Sequence, residues 1–279
     1  MKTRISAVVC FLCVVGSPFS SSAADSEPPT ISSGTPELYI SFLTGYANTS
    51  SADATFTDGT QPAVVTGVDY RKNFSLGGNL GVWFPTRDKL AGLDLGLALT
   101  GFLWQADAGW GQENFNGVTQ PTQFNGTTTE TQGLFIGPEF LIRVPMAISE
   151  NYPNGRWHPY VGMAVGMHQM AQRPGGTRGI SFFNFNPGGA LNTNPIPDQR
   201  DTTIGWGPVG GIKGHLFKYV AAFAEARYLM AHHDGLTSDR FGLSTNNLTG
   251  DALVVNQYSS SIHTILVHVG LSLHFDIRP

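Results

Sequence analysis

Cysteine is almost missing from this 279-residue chain, and the two that occur, Cys10 and Cys13, sit in an apolar stretch near the N-terminus. A disulfide framework is therefore excluded, and the Cys-Phe-Leu-Cys spacing reads as part of a removable leader, not as a zinc knuckle or redox pair. Charge is scarce as well: Asp, Glu, Lys and Arg make up 13% of the residues. The 16 basic side chains are outnumbered by 20 acidic ones, which excludes the basic surface that a nucleic-acid partner requires. No apolar run reaches the ~20 residues of a membrane-crossing helix. What is abundant is glycine, at 34 residues, and aromatic side chains, at 11%.

The N-terminus has the three-part layout of a secretory signal. Lys2 and Arg4 precede an apolar run from Ile5 to Gly16, and Pro18 is followed by the small residues Ser21, Ser22, Ala23 and Ala24. Cleavage after Ala23 or Ala24 is expected, so that residues 1–23 form a signal peptide, 24–36 a short periplasmic segment and 37–279 the folded domain. Loss of Lys2 and Arg4 leaves 14 basic against 20 acidic residues and no thiol.

Period-two alternation dominates the rest. From Ile265 to Phe275, the residues Ile265, Val267, Val269, Leu271, Leu273 and Phe275 share one parity, and His268, Gly270, Ser272 and His274 the other. Successive strand side chains point to opposite faces, so this segment has one apolar and one polar face. Seven further segments behave alike, giving eight expected strands at 37–47, 73–84, 90–104, 131–145, 157–170, 202–215, 218–231 and 262–277. Each meets or exceeds the ~9–11 residues of a tilted membrane strand.

The connections alternate between short (85–89, 147–156, 216–217) and long (48–72, 105–130, 171–201, 232–261), the latter rich in Asn, Thr, Gly, Ser and Pro. Short turns at one end and long loops at the other are the layout of an outer-membrane barrel. The expected fold is all-β: an eight-stranded antiparallel up-and-down transmembrane β-barrel with short periplasmic turns and long extracellular loops. Aromatic residues near strand ends fit two interfacial girdles, Phe84, Trp157, Tyr219 and Phe275 at the turn end and Tyr46, Trp104, Trp206 and Tyr228 at the loop end. Tyr39, Trp83 and Tyr160 carry the inward parity.

Two segments point to a known family. Pro159-Tyr160-Val161-Gly162-Met163-Ala164-Val165-Gly166 resembles the Pro-Tyr-x-Gly-x-Gly-x-Gly strand of the small outer-membrane barrels typified by outer-membrane protein A, with Ala164 in place of a glycine. Ala224-Glu225-Ala226-Arg227-Tyr228 resembles the Glu-x-Arg-Tyr strand of the same family. The resemblance implies the eight-strand barrel. Larger members add a peptidoglycan-binding domain, which is not expected here because the sequence stops soon after the eighth strand; Asp276 to Pro279 follow the aromatic residue that normally ends such chains.

If the Leu/Val parity faces lipid, Asp94, Glu139, Arg143, Lys213, Glu225 and Arg227 face the lumen, three acids against three bases, joined by Asn79, His268, Ser272 and His274. An eight-strand barrel is barely wide enough for its own side chains, so these residues are expected to plug it or to form a narrow gate. The lumenal glycines Gly77, Gly81, Gly96, Gly162, Gly166 and Gly270 are expected to leave some space. In the third long loop Phe182, Phe183 and Phe185 either pack over the mouth or offer a contact patch.

Enzyme motifs are weak. Gly205-Trp206-Gly207-Pro208-Val209-Gly210 matches a dinucleotide fingerprint as a string, but no helix pattern follows it. His232-His233-Asp234 is a candidate dyad or metal set at the barrel rim. The leading expectation is a monomeric, non-enzymatic protein of the bacterial outer membrane, without cofactor or metal, serving structure or surface contact through its long loops. Its partners would be outer-membrane lipid and lipopolysaccharide and the barrel-assembly machinery. A narrow porin-like channel gated by the lumenal charges is the alternative, and a surface hydrolase a third.

Overall fold

A computed structural model describes residues 34–50, 52–56, 63–68, 70, 73–106, 110–115, 118–123, 130–173, 199–238 and 256–277. The leader and the Phe182, Phe183 and Phe185 cluster lie outside the described residues.

Among the described residues twelve strands follow one another: β1 (Glu37–Thr49), β2 (Ala52–Phe56), β3 (Ala63–Val68), β4 (Asn73–Phe84), β5 (Asp94–Gln105), β6 (Trp110–Phe115), β7 (Val118–Gln123), β8 (Glu130–Arg143), β9 (Trp157–Arg173), β10 (Gln199–Phe217), β11 (Val220–Ser238) and β12 (Asn256–Asp276). Eight of them, β1, β4, β5 and β8 to β12, pair antiparallel in that order. The ring shuts where β1 meets β12, from Glu37 opposite Asp276 to Thr49 opposite Thr264. Closure leaves no open edge, the condition a sheet must meet to cross a bilayer.

Parity decides which side of the wall each residue takes. Phe42, Val161 and Ile204 stand outward and are 68%, 61% and 70% exposed, within a band that includes Leu97, Leu99, Phe140, Val269 and Leu271. A continuous apolar band of this kind has no place in water and is the lipid-facing surface of a transmembrane barrel. The inward parity is buried on every ring strand: Tyr39, Ser75, Asp94, Glu139, Tyr160, Lys213, Arg227 and His268 exemplify the eight.

Several boundaries depart from the sequence pattern. The strand expected at 90–104 starts at Asp94, because 85–93 form a turn in which Ala91 and Gly92 adopt left-handed φ values of 49° and 89°. The leucine alternation ran on past the true strand end. Strands β9 to β12, at 17 to 21 residues, are far longer than the bilayer needs, so they project beyond it at the long-loop end.

Two segments expected as loops are largely strand. Tyr258 and Ser259 of β12 pair with Phe56 and Thr55 of β2, and β3, β6 and β7 follow in order. The projecting β12 offers an edge, and pairing satisfies its backbone groups better than a loop would. Under this extension Ala54, Tyr70, Leu236, Tyr258 and Ile262 are buried. Burial and the adjacent Tyr258 push the Tyr70 phenol well above its usual range.

Candidate functional site in the barrel lumen

All eight residues expected to form the lumenal network, Asp94, Glu139, Arg143, Lys213, Glu225, Arg227, His268 and His274, are buried inside the ring. Register puts Asp94 opposite Arg143, Glu225 opposite His268 and Lys213 opposite His158. They divide into layers along the barrel axis.

The layer at the short-turn end is built from six strands and two turns. Arg143 donates through Nη1 to Glu37 Oε2 at 2.8 Å and lies 3.3 Å through Nε from Asp94 Oδ2. Arg87, carried by the turn after β4, donates to both Asp94 oxygens at 2.9 and 3.2 Å and to the Pro153 carbonyl at 3.1 Å. It therefore ties the β4–β5 turn to the β8–β9 turn and closes the floor of the lumen. Glu37 also accepts from His274 Nδ1 and lies 3.8 Å from His215 Nε2. His158 stacks edge-on against His215, with ring centroids 5.2 Å apart.

Lys213 counts in the expected balance of three acids and three bases but joins no ion pair. Among the described residues no carboxylate lies within ion-pair distance of it; its ammonium sits 4.1 Å from the centroid of the Tyr39 ring and donates to Ser272 Oγ at 3.3 Å. A ring face and a hydroxyl take the place of an acid.

In the middle layer Arg227 bridges two carboxylates, Glu225 Oε1 at 2.6 Å and Glu139 Oε2 at 3.1 Å. Its guanidinium lies 5.5 Å from the Phe102 ring, and Phe102 stands on β5, diametrically across the ring from β11. Side chains thus span the lumen at this level. Glu225 also accepts from Tyr160 Oη at 2.7 Å and contacts His268 Nδ1 at 3.4 Å, while His268 Nε2 meets Ser75 Oγ at 3.0 Å.

Toward the long loops the lumen becomes apolar, with Leu43, Phe102, Phe135, Leu229, Ile262 and Leu266 buried together. The charged character expected throughout belongs to the other half. One polar chain crosses the apolar half: His233 Nδ1 donates to Asp201 Oδ2 at 2.8 Å, and His233 Nε2 accepts from His168 Nδ1 at 2.8 Å. That tautomer order leaves His168 Nε2 without a partner, and the His168 ring stands T-shaped to Trp104 with centroids 5.2 Å apart.

The rim set splits as parity requires. His233 points inward, whereas His232 and Asp234 are exposed and face each other outside at 3.1 Å. The three do not converge on one point, so they form no metal set; His232 and Asp234 remain as an exposed pair outside the wall. The glycine string 205–210 lies inside β10, paired with β9 along its whole length, and forms no phosphate-binding turn.

Nor do the lumenal glycines leave room. Five large lumenal rings lie over the glycine directly opposite: Tyr39 over Gly81, Trp83 over Gly96, Trp104 over Gly133, Tyr160 over Gly211 and Phe223 over Gly270. A Cβ at Gly81 or Gly96 would come within 2.6 Å of the Tyr39 or Trp83 ring. The ring fills what glycine gives up. Trp104 is fully buried for this reason and is no part of the exterior girdle, which holds Tyr46, Trp206 and Tyr228 as expected.

Sequence reasoning passed over six lumenal groups. His158 and His215 share the parity of Tyr160 and Lys213 and were within reach of the pattern; Glu37 shares that of Tyr39. Arg87, His168 and Asp201 gave weaker signals: Arg87 belongs to a turn, Asp201 to a segment expected as loop, and His168 to a strand end without a visible partner.

No family model matches the sequence, and neither does any curated protein. A search of solved structures finds small outer-membrane barrels. Neisserial surface protein A is 13% identical, covers 85% of this chain and 97% of its own, and has a TM-score of 0.43. The outer-membrane protein OprG of Pseudomonas aeruginosa is also 13% identical, with 88% and 98% covered and a TM-score of 0.41. The outer-membrane protease OmpT of Escherichia coli is 7% identical, with 86% and 97% covered and a TM-score of 0.44. At these values the barrel assignment rests on the ring closure and apolar belt described above.

Proposed function

We propose that this chain is a monomeric, non-enzymatic β-barrel of the bacterial outer membrane, embedded in its lipid and lipopolysaccharide after insertion by the barrel-assembly machinery. It acts structurally, or through surface contacts made at the long-loop end. The signal-like N-terminus supports export, and the apolar belt supports a bilayer.

The observation that carries the non-conducting role is the spanned lumen. Arg227 reaches from β11 to Glu139 on β8 and to the Phe102 face across the ring, rings occupy the glycine positions, and an apolar cluster follows above. Charges held by good partners in a water-poor interior are costly to separate, so a path for hydrated solutes would require breaking the middle layer. The long-loop end supports surface contact, because β2, β3, β6 and β7 extend the wall into a paired sheet. A sheet of this kind pre-organises a binding surface that a bare loop would have to order at an entropic cost.

Planar-bilayer recording tests this role. The purified barrel is expected to stay electrically silent over a wide voltage range. Discrete conductance steps in the wild type that change with Arg227→Ala or Glu225→Ala would overturn it in favour of the gated channel.

A further inference from the structure

The short-turn layer holds more imidazole than its ion pairs use. His158 is 1% exposed, and neither of its ring nitrogens has a hydrogen-bond partner; His215 Nδ1 has none either. A buried polar atom left unpaired is destabilising, so this clustering calls for a compensating ligand. Glu37, His215 and His274 present Oε1, Nε2 and Nδ1 within 4.8 Å of one another. Around a tetrahedral ion with bonds of ~2.1 Å, ligand atoms stand about 3.4 Å apart. A shift of roughly 1 Å would bring the three into register.

We propose that Glu37, His215 and His274, with His158 as a fourth ligand or close neighbour, form a binding site for a divalent transition-metal ion of the zinc type at the short-turn end of the lumen. The outer contacts suit this. His274 Nε2 meets Ser272 Oγ at 2.8 Å, and Ser272 is held in turn by Ser41 at 3.0 Å. The second Glu37 oxygen is fixed by Arg143. Such contacts orient ligand imidazoles and carboxylates. When the ion enters, it replaces the proton on His274 Nδ1, and Nε2–H donates to Ser272 instead.

An entry path exists. A cavity of about 110 Å³ lined by Glu37, His215 and His274 opens toward the turns, with the acids Glu150 and Asp276 on its walls. Arg143 and Lys213 lie in the same layer and oppose a cation. The imidazoles therefore carry the affinity, and the site selects metals that favour nitrogen. Zn²⁺, Co²⁺, Ni²⁺ and Cu²⁺ bind, whereas Ca²⁺ and Mg²⁺, which depend on oxygen ligands, do not. The site needs the barrel alone and is indifferent to whether the lumen conducts.

The experiment uses the full chain, folded in detergent micelles and checked by heat-modifiable migration. Co²⁺ is added and followed by its electronic spectrum, then displaced by Zn²⁺ against a chromophoric chelator. One ion per chain is expected, with affinity at least tenfold lower in His215→Ala and in His274→Ala and unchanged in His232→Ala, an exposed histidine. A folded wild type that gives no bound-Co²⁺ spectrum, or a folded double variant that binds like wild type, overturns the proposal. Should the variants fail to fold, X-ray absorption of the Zn²⁺-loaded wild type decides: two or more imidazoles support the site, and fewer refute it.

Discussion

Replacing Arg227 with methionine isolates the energetics of the middle lumenal layer, because its two acids differ in what they keep. Glu225 retains the Tyr160 hydroxyl at 2.7 Å and the His268 contact at 3.4 Å. Glu139 keeps nothing comparable: Arg227 is its ion-pair partner, and its Oε1 is already unpartnered. Both acids are about 1% exposed at the side chain, so solvent cannot relieve the loss. Removing one member of a buried pair costs about 3–5 kcal/mol, mostly from the charge left behind. Methionine preserves much of the arginine stem, which limits any packing contribution. Adding Glu139→Gln removes the stranded charge and leaves an amide worth about 1–2 kcal/mol in unmet hydrogen bonding, so the double variant should recover roughly 2–3 kcal/mol. Glu225→Gln in the same background should recover less. Urea titration of the barrel folded in phospholipid vesicles, read by tryptophan fluorescence and by heat-modifiable migration, measures all four proteins. A loss under about 1 kcal/mol for Arg227→Met, or no recovery on adding Glu139→Gln, would refute the assignment of Glu139 as a charge dependent on Arg227.

The same titration tests three further expectations. Arg143→Met strands Glu37 among histidines and should cost about 3–5 kcal/mol, whereas Arg87→Met leaves Asp94 with Arg143 at 3.3 Å and should cost about 1–3 kcal/mol; the reverse order would refute Arg143 as the main partner of the acids in this layer. Gly96→Val drives a side chain into the Trp83 ring and should cost about 1–3 kcal/mol by overpacking, and Trp83→Ala in that background should relieve it; additive losses would place the ring elsewhere. Val269→Arg, in the middle of the apolar belt, should cost about 2–4 kcal/mol, while Ser261→Arg, near the long-loop end of the same strand, should cost under about 1 kcal/mol; equal costs would mean that the belt does not face lipid.

The ring was legible because parity is a local property. Every strand that crosses the bilayer shows one apolar face, and the expected lumenal charges fell on the buried side without exception. Partner choice was much less legible. Arg143 meets Glu37 from 106 positions away, and alternation says which side a residue takes, not which wall it reaches. Parity alone would have split His232, His233 and Asp234, had it been applied to a segment taken for loop. The extra strands β2, β3, β6 and β7 left no signal because their pairing depends on β12 projecting past the membrane, a property of the assembled ring. The glycines misled for a related reason: a missing side chain reads as space until the register shows a tryptophan or tyrosine opposite.

The two ends of the lumen are chemically different, and the difference assigns separate tasks to them. From the Arg227 layer toward the long loops, Leu43, Phe135, Leu229, Ile262 and Leu266 form an apolar seal that the Asp201, His233 and His168 chain interrupts, so water and ions meet mostly apolar side chains on that side. From the same layer toward the turns, Glu37, Asp94, Arg143, Lys213 and three histidines are buried, and the cavity beside Glu37 opens there. The cavity gives a solute or ion that engages the lumenal charges its approach from the short-turn side, the periplasm in the proposed orientation. In the proposed role, contacts with the exterior fall to the projecting sheet, which shares no side chain with that layer. A change at His215 or His274 should then leave surface contacts untouched, and removal of the β6–β7 hairpin should leave metal binding untouched. If either change altered both properties, the apolar seal would not separate the two ends, and the lumen would have to be treated as one connected site.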